Sequence, residues 1–126
     1  MLYLGPIDEV VSTPWVRLMY FARRMTALED LTVNSTVAGE GPTTVVLVHG
    51  YTCDETTWMN QVPELAHNCR VITLDLPGHG RSSLPALEQF SMSLFARAVE
   101  VVRAEVDAER IVLVGHSMGT LVILEY

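Results

Sequence analysis

Residues 111–126 read IVLVGHSMGTLVILEY. A short apolar run, Ile111-Val112-Leu113-Val114, enters Gly115-His116-Ser117-Met118-Gly119, and a second apolar stretch follows. The first run suits a strand buried on both faces, and the second continues as a helix. A G-x-S-x-G pattern between strand and helix is the setting of a serine held on a sharp turn, its hydroxyl exposed above a sheet. Gly115 and Gly119 flank the turn because side chains there would collide across it. Ser117 also stands at a helix N-terminus, where free amides and the helix dipole favour negative charge. Ser117 is thus the candidate nucleophile, and the backbone N–H of Met118 a candidate oxyanion donor.

Two similar runs lie upstream. TTVVLV, residues 43–48, leads into His49-Gly50-Tyr51-Thr52. Gly50 permits close backbone approach, which leaves the Tyr51 N–H free to face a substrate carbonyl as a second donor. Losing one such donor costs about 3–4 kcal/mol of transition-state stabilisation. RVITLD, residues 70–75, is another buried strand and opens into the Gly- and Pro-rich loop LPGHGRSSLP. Between these runs, Trp58, Val62, Leu65 and Ala66 share one face of a short helix over 55–66, limited by Pro63. Leu94, Phe95, Ala98, Val101, Val102 and Val106 make the apolar stripe of a clearer helix over 91–107. Residues 31–38 have weak strand character, and 38–42 (AGEGP) form a turn. The alternation of strand and helix implies an α/β fold with a parallel core and right-handed crossovers.

Residues 1–30 read as an N-terminal arm or helix. Pro14 opens a helical pattern through WVRLMYFARRMTALED, with Trp15, Leu18, Met19, Ala22 and Met25 at helical spacing and Arg17, Arg23 and Arg24 between them. Such a helix is expected to pack on the body of the protein rather than on a membrane. The remainder, 31–126, reads as one domain.

Composition narrows the function classes. The chain has 126 residues, 49% hydrophobic and 18% charged, within the range of a single globular domain. Eight basic against fifteen acidic residues give a formal charge of -7, which argues against nucleic-acid binding. No apolar run is long enough for a transmembrane segment. The N-terminus lacks the basic start of a secretory signal, so a cytoplasmic location is the default. Cys53 and Cys69 have neither C-x-x-C spacing nor a histidine pair at metal spacing, so no metal is expected. They fall near opposite ends of parallel strands about 17 Å long. Bridged Cα atoms sit about 4.4–6.8 Å apart, so the two are expected to be free thiols.

His49 leads a glycine turn and is expected to brace it by hydrogen bonds, not to act as the base. Asp75 at a strand end is expected to organise its loop rather than serve as a triad acid. His116 neighbours Ser117 at a turn where adjacent side chains point apart, and His67 is expected to face solvent. Gly78-x-Gly80 lacks the third glycine of a dinucleotide fingerprint, Ser83 standing in its place. There is no G-K dipeptide for a phosphate-binding loop. No cofactor is expected.

Three motifs in this order, VLVHGYT, LDLPGHGRS and VGHSMG, resemble the α/β-hydrolase family over roughly residues 43–126. The resemblance implies Ser117 as nucleophile, the Tyr51 and Met118 amides as oxyanion donors, and a structural role for Asp75–Ser82. Chain order in this family is nucleophile, acid, histidine. Only nine residues follow Ser117. The acid and histidine are therefore expected beyond Tyr126, and the chain resembles the N-terminal half of the fold: a mostly parallel sheet with flanking helices, incomplete at its C-terminus. The weak strand at 31–38 departs from the clear hairpin with which the family opens.

The function expected on this basis is that of a serine hydrolase acting on an ester-like bond of a small molecule, weakly active or inactive as this chain alone. The alternative is a non-catalytic fragment that pairs with a C-terminal half. In either case the IVLVG strand would carry an open edge, through which the chain is expected to associate.

Overall fold

The computed structural model describes residues 21–108 and 110–126 of the chain. One sheet contains β1 (Phe21–Leu28), β2 (Leu31–Ala38), β3 (Thr44–Val48), β4 (Arg70–Leu74) and β5 (Ile111–Gly115). Their spatial order is β1-β2-β4-β3-β5. β3 runs parallel to β4 and β5, while β2 is antiparallel to β1 and β4. The sheet is therefore mixed, three parallel strands with an antiparallel hairpin at one edge. The helices are α1 (Val62–Leu65), α2 (Met92–Ala104) and α3 (Met118–Glu125), with single 3-10 turns at Glu55–Trp58 and Leu87–Gln89.

The continuous apolar runs are explained by cover on both faces. In β3 every residue is buried. Val46 and Val48, with Ile72 and Leu74 of β4, face Leu94, Phe95, Ala98, Val99 and Val102 of α2 and Val122 of α3. Val45, Leu47 and Val71 point the other way, onto Trp58, Val62 and Ala66. The second face is covered by less helix than expected. The helix anticipated over 55–66 is a 3-10 turn and the four-residue α1, with Pro63 in the first turn of α1. A proline is tolerated there because that N–H has no helical partner. Helix α2 keeps its expected place, with the Ser91 hydroxyl accepting from the Leu94 N–H at 3.0 Å as its N-cap.

The N-terminal reading needs correction. Within the arm or helix expected over 1–30, residues 21–28 are a strand, paired along its whole length with β2 from Phe21–Ala38 to Leu28–Leu31. Burial along β1 alternates towards its C-terminal half, where Thr26 and Leu28 are buried and their neighbours exposed. The boundary drawn at residue 30 falls in the hairpin turn, where Glu29 takes φ 55°, so residues 21–30 belong to the sheet. Ala, Arg, Met and Leu are good helix formers, and tertiary pairing overrides that preference. The hairpin also removes the apparent departure from the α/β-hydrolase pattern. Residues 1–20, including the expected helix start at Pro14, lie outside the described residues.

At the opposite edge, β5 pairs on one side with β3, and no described strand pairs with its other side. Val112 is 47% exposed, unlike the fully buried β3. Helix α3 buries Gly119 and Val122 but leaves Leu121 and Leu124 exposed. Among the described residues, no helix is long and apolar enough to cross a membrane.

Candidate active site

The strand ends converge where β3 and β5 lie side by side. The turn between β5 and α3 places Ser117 at φ 52°, ψ −118°, a sparsely populated conformation that costs a non-glycine residue about 1–3 kcal/mol. Close packing holds it there. The His116 N–H donates to the Val48 carbonyl at 3.0 Å, and the Gly119 N–H to the His116 carbonyl at 2.9 Å. A Cβ on Gly119 would overlap the Val48 carbonyl oxygen, and one on Gly115 would come within 2.6 Å of Gly119 and Thr120 backbone atoms. Both glycines are thus dictated by backbone approach. Ser117 is exposed at the start of α3.

Gly50 brings the two strand ends together. A Cβ there would lie 3.1 Å from the His116 carbonyl oxygen and 3.2 Å from the Ser117 Cβ. Tyr51, the next residue, and Met118, beside Ser117, flank this point of approach. Their backbone N–H groups donate to no acceptor among the described residues. The structure therefore gathers Ser117, Tyr51 and Met118 in one place.

His49 and Asp75 form the foundation. The Leu76 N–H donates to His49 Nε2 at 3.0 Å, so the proton sits on Nδ1, which donates to the Gly50 carbonyl at 2.7 Å. Both ring nitrogens are occupied in a buried ring. Burial holds its pKa below the ordinary imidazole value and outweighs the Gly50 hydrogen bond, which favours the charged form. Asp75, also buried, accepts from the Glu55 N–H at 2.7 Å, the Asn34 side-chain amide at 2.9 Å and the Arg81 N–H at 2.9 Å. A Cβ on Gly80, at φ 50°, would overlap that carboxylate. Asp75 thus ties the 76–83 loop to β2 and to the turn after β3. Among the described residues no histidine ring hydrogen-bonds the Ser117 hydroxyl.

His79, in the LDLPGHGRS motif and not expected to serve as the base, places its ring 5.1 Å from that of His49 and 6.2 Å from that of Tyr51. Glu55 was not anticipated; it carries a carboxylate whose side chain is only 9% exposed, and no local signal in the sequence marks it.

The neutral state of His49 has a pH consequence. Its unfolded pKa is about 6.5, and its folded value lies lower. Its contribution to stability is complete above pH 6.5 and is lost as pH falls from there through the folded pKa, because the unfolded state binds the proton first. The melting temperature should fall from pH 7.5 to pH 5, and His49→Gln should flatten that slope. Equal slopes in the two proteins would contradict this assignment.

Comparisons with known proteins bear on the family and the fold. The sequence model of the alpha/beta hydrolase family matches residues 45–126. A dihydrolipoyllysine-residue acetyltransferase component of the acetoin cleaving system from Pseudomonas putida is 42% identical over 88 residues, 70% of this chain and 24% of its own length. A fluoroacetate dehalogenase from a Burkholderia species is 33% identical over 103 residues, 79% of this chain and 34% of its own length. Epoxide hydrolase A from Mycobacterium thermoresistibile superposes with a TM-score of 0.76 at 27% identity, covering 82% of this chain and 34% of that one. The chain thus spans about a quarter to a third of the length of these relatives. It belongs to the alpha/beta hydrolase family.

Proposed function

We propose that this member of the alpha/beta hydrolase family supplies the nucleophile and oxyanion donors of a serine hydrolase acting on an ester-like bond of a small molecule. The observation that carries the reading is the conformation of Ser117, held at positive φ between β5 and α3 with the Gly50 backbone against it. A residue strained in this way and exposed at a strand end fits a nucleophile better than a packing role.

The chemistry follows from the parts. The Ser117 Oγ adds to the ester carbonyl while a base takes its proton and passes it on to the leaving alcohol, and the carbonyl oxygen takes the negative charge. The Tyr51 and Met118 amides donate to that oxygen, helped by the N-terminal dipole of α3. Collapse of the tetrahedral intermediate breaks the bond to the leaving alcohol and leaves an acyl ester on Ser117. Hydrolysis of that ester needs a base to take a proton from water. His49 is committed to Leu76 and Gly50 and does not serve. The acid and histidine are assigned to positions beyond Tyr126, and the 126-residue chain is weakly active or inactive alone.

A fluorophosphonate probe tests this. Slow labelling confined to Ser117 and abolished in Ser117→Ala supports the reading. Labelling elsewhere, or equal labelling of the variant, refutes the nucleophile. Labelling at rates usual for serine hydrolases refutes the assignment of the base beyond Tyr126.

The side of β5 that no described strand pairs with favours a second reading, a fragment that gains activity by pairing with a polypeptide carrying the remaining strands. Mixing the chain with the corresponding C-terminal part of a family relative should then produce esterase activity. Absence of activity in a complex that forms would count against it.

A further inference from the structure

We propose that Glu55 is a positioning residue that fixes the Gly50–Asp54 turn, and with it the Tyr51 amide, in place beside Ser117. The consequence for chemistry rests on the reading of Tyr51 as an oxyanion donor; the anchoring itself does not. A carboxylate this buried is tolerated only with partners, and Glu55 has them on every side. Oε2 accepts from the Thr73 hydroxyl of β4 at 3.1 Å, and Oε1 from the Asn34 side-chain amide of β2 at 3.2 Å. The Arg81 guanidinium of the 76–83 loop is 3.5 Å from Oε1, and that of Arg23 in β1 is 3.8 Å away. The Glu55 N–H meanwhile donates to Asp75. One residue thus joins β1, β2, β4 and the following loop to the turn that leaves β3.

That turn needs such an anchor. At its start His49 donates to the Gly50 carbonyl, and the Cys53 N–H closes onto the same oxygen at 3.3 Å. Thr52 is held at φ 59°, which opposes the closed form. The Tyr51 side chain is 71% exposed, so its own packing does little to hold its amide. Asp54 caps only the next turn, through Thr56. The C-terminal end of the segment is therefore fixed by Glu55, in the way that an orienting residue behind a catalytic group sets its geometry.

Hydrogen–deuterium exchange of the full 126-residue chain tests this. Glu55→Gln keeps the volume but presents an amide donor to a ring of donors. Exchange of the Cys53 and Glu55 amides, the hydrogen-bonded N–H groups of this turn, should rise about tenfold, while segments in β3, β4 and α2 keep their protection. Fluorophosphonate labelling of Ser117 per folded molecule should fall at least about fivefold. Glu55→Asp keeps the charge between Arg23 and Arg81 and should recover part of both. Unchanged exchange of the Cys53 and Glu55 amides overturns the proposal, and so does a uniform rise across the chain, which would mean general destabilisation. Faster exchange with unchanged labelling overturns the positioning of the amide. A wild-type chain that never labels counts against the nucleophile reading, and the exchange comparison then decides the anchoring without it.

Discussion

Replacing Gly119 by alanine is expected to abolish cooperative folding or to lower the melting temperature by at least about 15 °C. The added Cβ would overlap the Val48 carbonyl oxygen and lie 2.7 Å from that of His49. These are backbone atoms of β3 and the turn after it, so no side chain can rotate out of the way. Relief requires moving the start of α3 away from the strand end. That movement breaks the 3.0 Å bond from the His116 N–H to the Val48 carbonyl, whose loss costs about 1 kcal/mol. Overpacking of this kind adds about 1–3 kcal/mol, and more where backbone must move. A total near 4 kcal/mol is a large part of the ~5–15 kcal/mol that holds a typical domain together. At about 4 °C per kcal/mol for a domain of this size, it corresponds to a shift of about 15 °C. Thermal melting by circular dichroism measures it, with Thr120→Ala, at an exposed neighbouring position, as the control. A Gly119→Ala melting temperature within about 3 °C of wild type would mean that the turn is not packed as described.

The second large effect is association. Among the described residues no strand pairs with the outer side of β5 beside Val112, and α3 adds Leu121 at 56% and Leu124 at 77% exposure. An apolar strand edge invites pairing with another chain, and apolar helix positions on a neighbouring face enlarge the surface that would be buried. The isolated chain is expected to form oligomers at micromolar concentration in multi-angle light scattering. Val112→Lys with Leu124→Lys should shift it towards monomer, since charge on an edge opposes strand addition. A wild-type chain that is a monodisperse monomer with a cooperative melt would remove the basis for this expectation.

Much of the site was legible in the sequence because its determinants are local. Gly115, Ser117 and Gly119 define a turn within five residues, and a β-branched run on one side with an apolar run on the other states what the turn connects. His49-Gly50-Tyr51 is legible for the same reason. The bracing role of His49 and the organising role of Asp75 also followed from their places at strand ends, and the hydrogen bonds of both agree with those roles. The first strand was hidden because FARRMTAL satisfies helical spacing and helical propensity alike. Its pairing with β2 is decided by the partner, and a period of two is hard to see because Arg23 and Arg24 are adjacent and the apolar Met25 is exposed.

The sequence by itself determined the family, the alternation of strand and helix and the turn that presents Ser117, since each depends on residues a few positions apart. The tertiary structure alone decided that residues 21–28 are a strand, that the sheet is mixed, and that Asp75, Asn34 and the Glu55 side chain form one buried polar knot beneath the site, with the exposed Arg23 and Arg81 at its rim. Those five residues come from β1, β2, the turn after β3, the end of β4 and the loop that follows it. Charges that are costly to bury one at a time become acceptable only when the fold brings their partners together, and no spacing along the chain records that meeting.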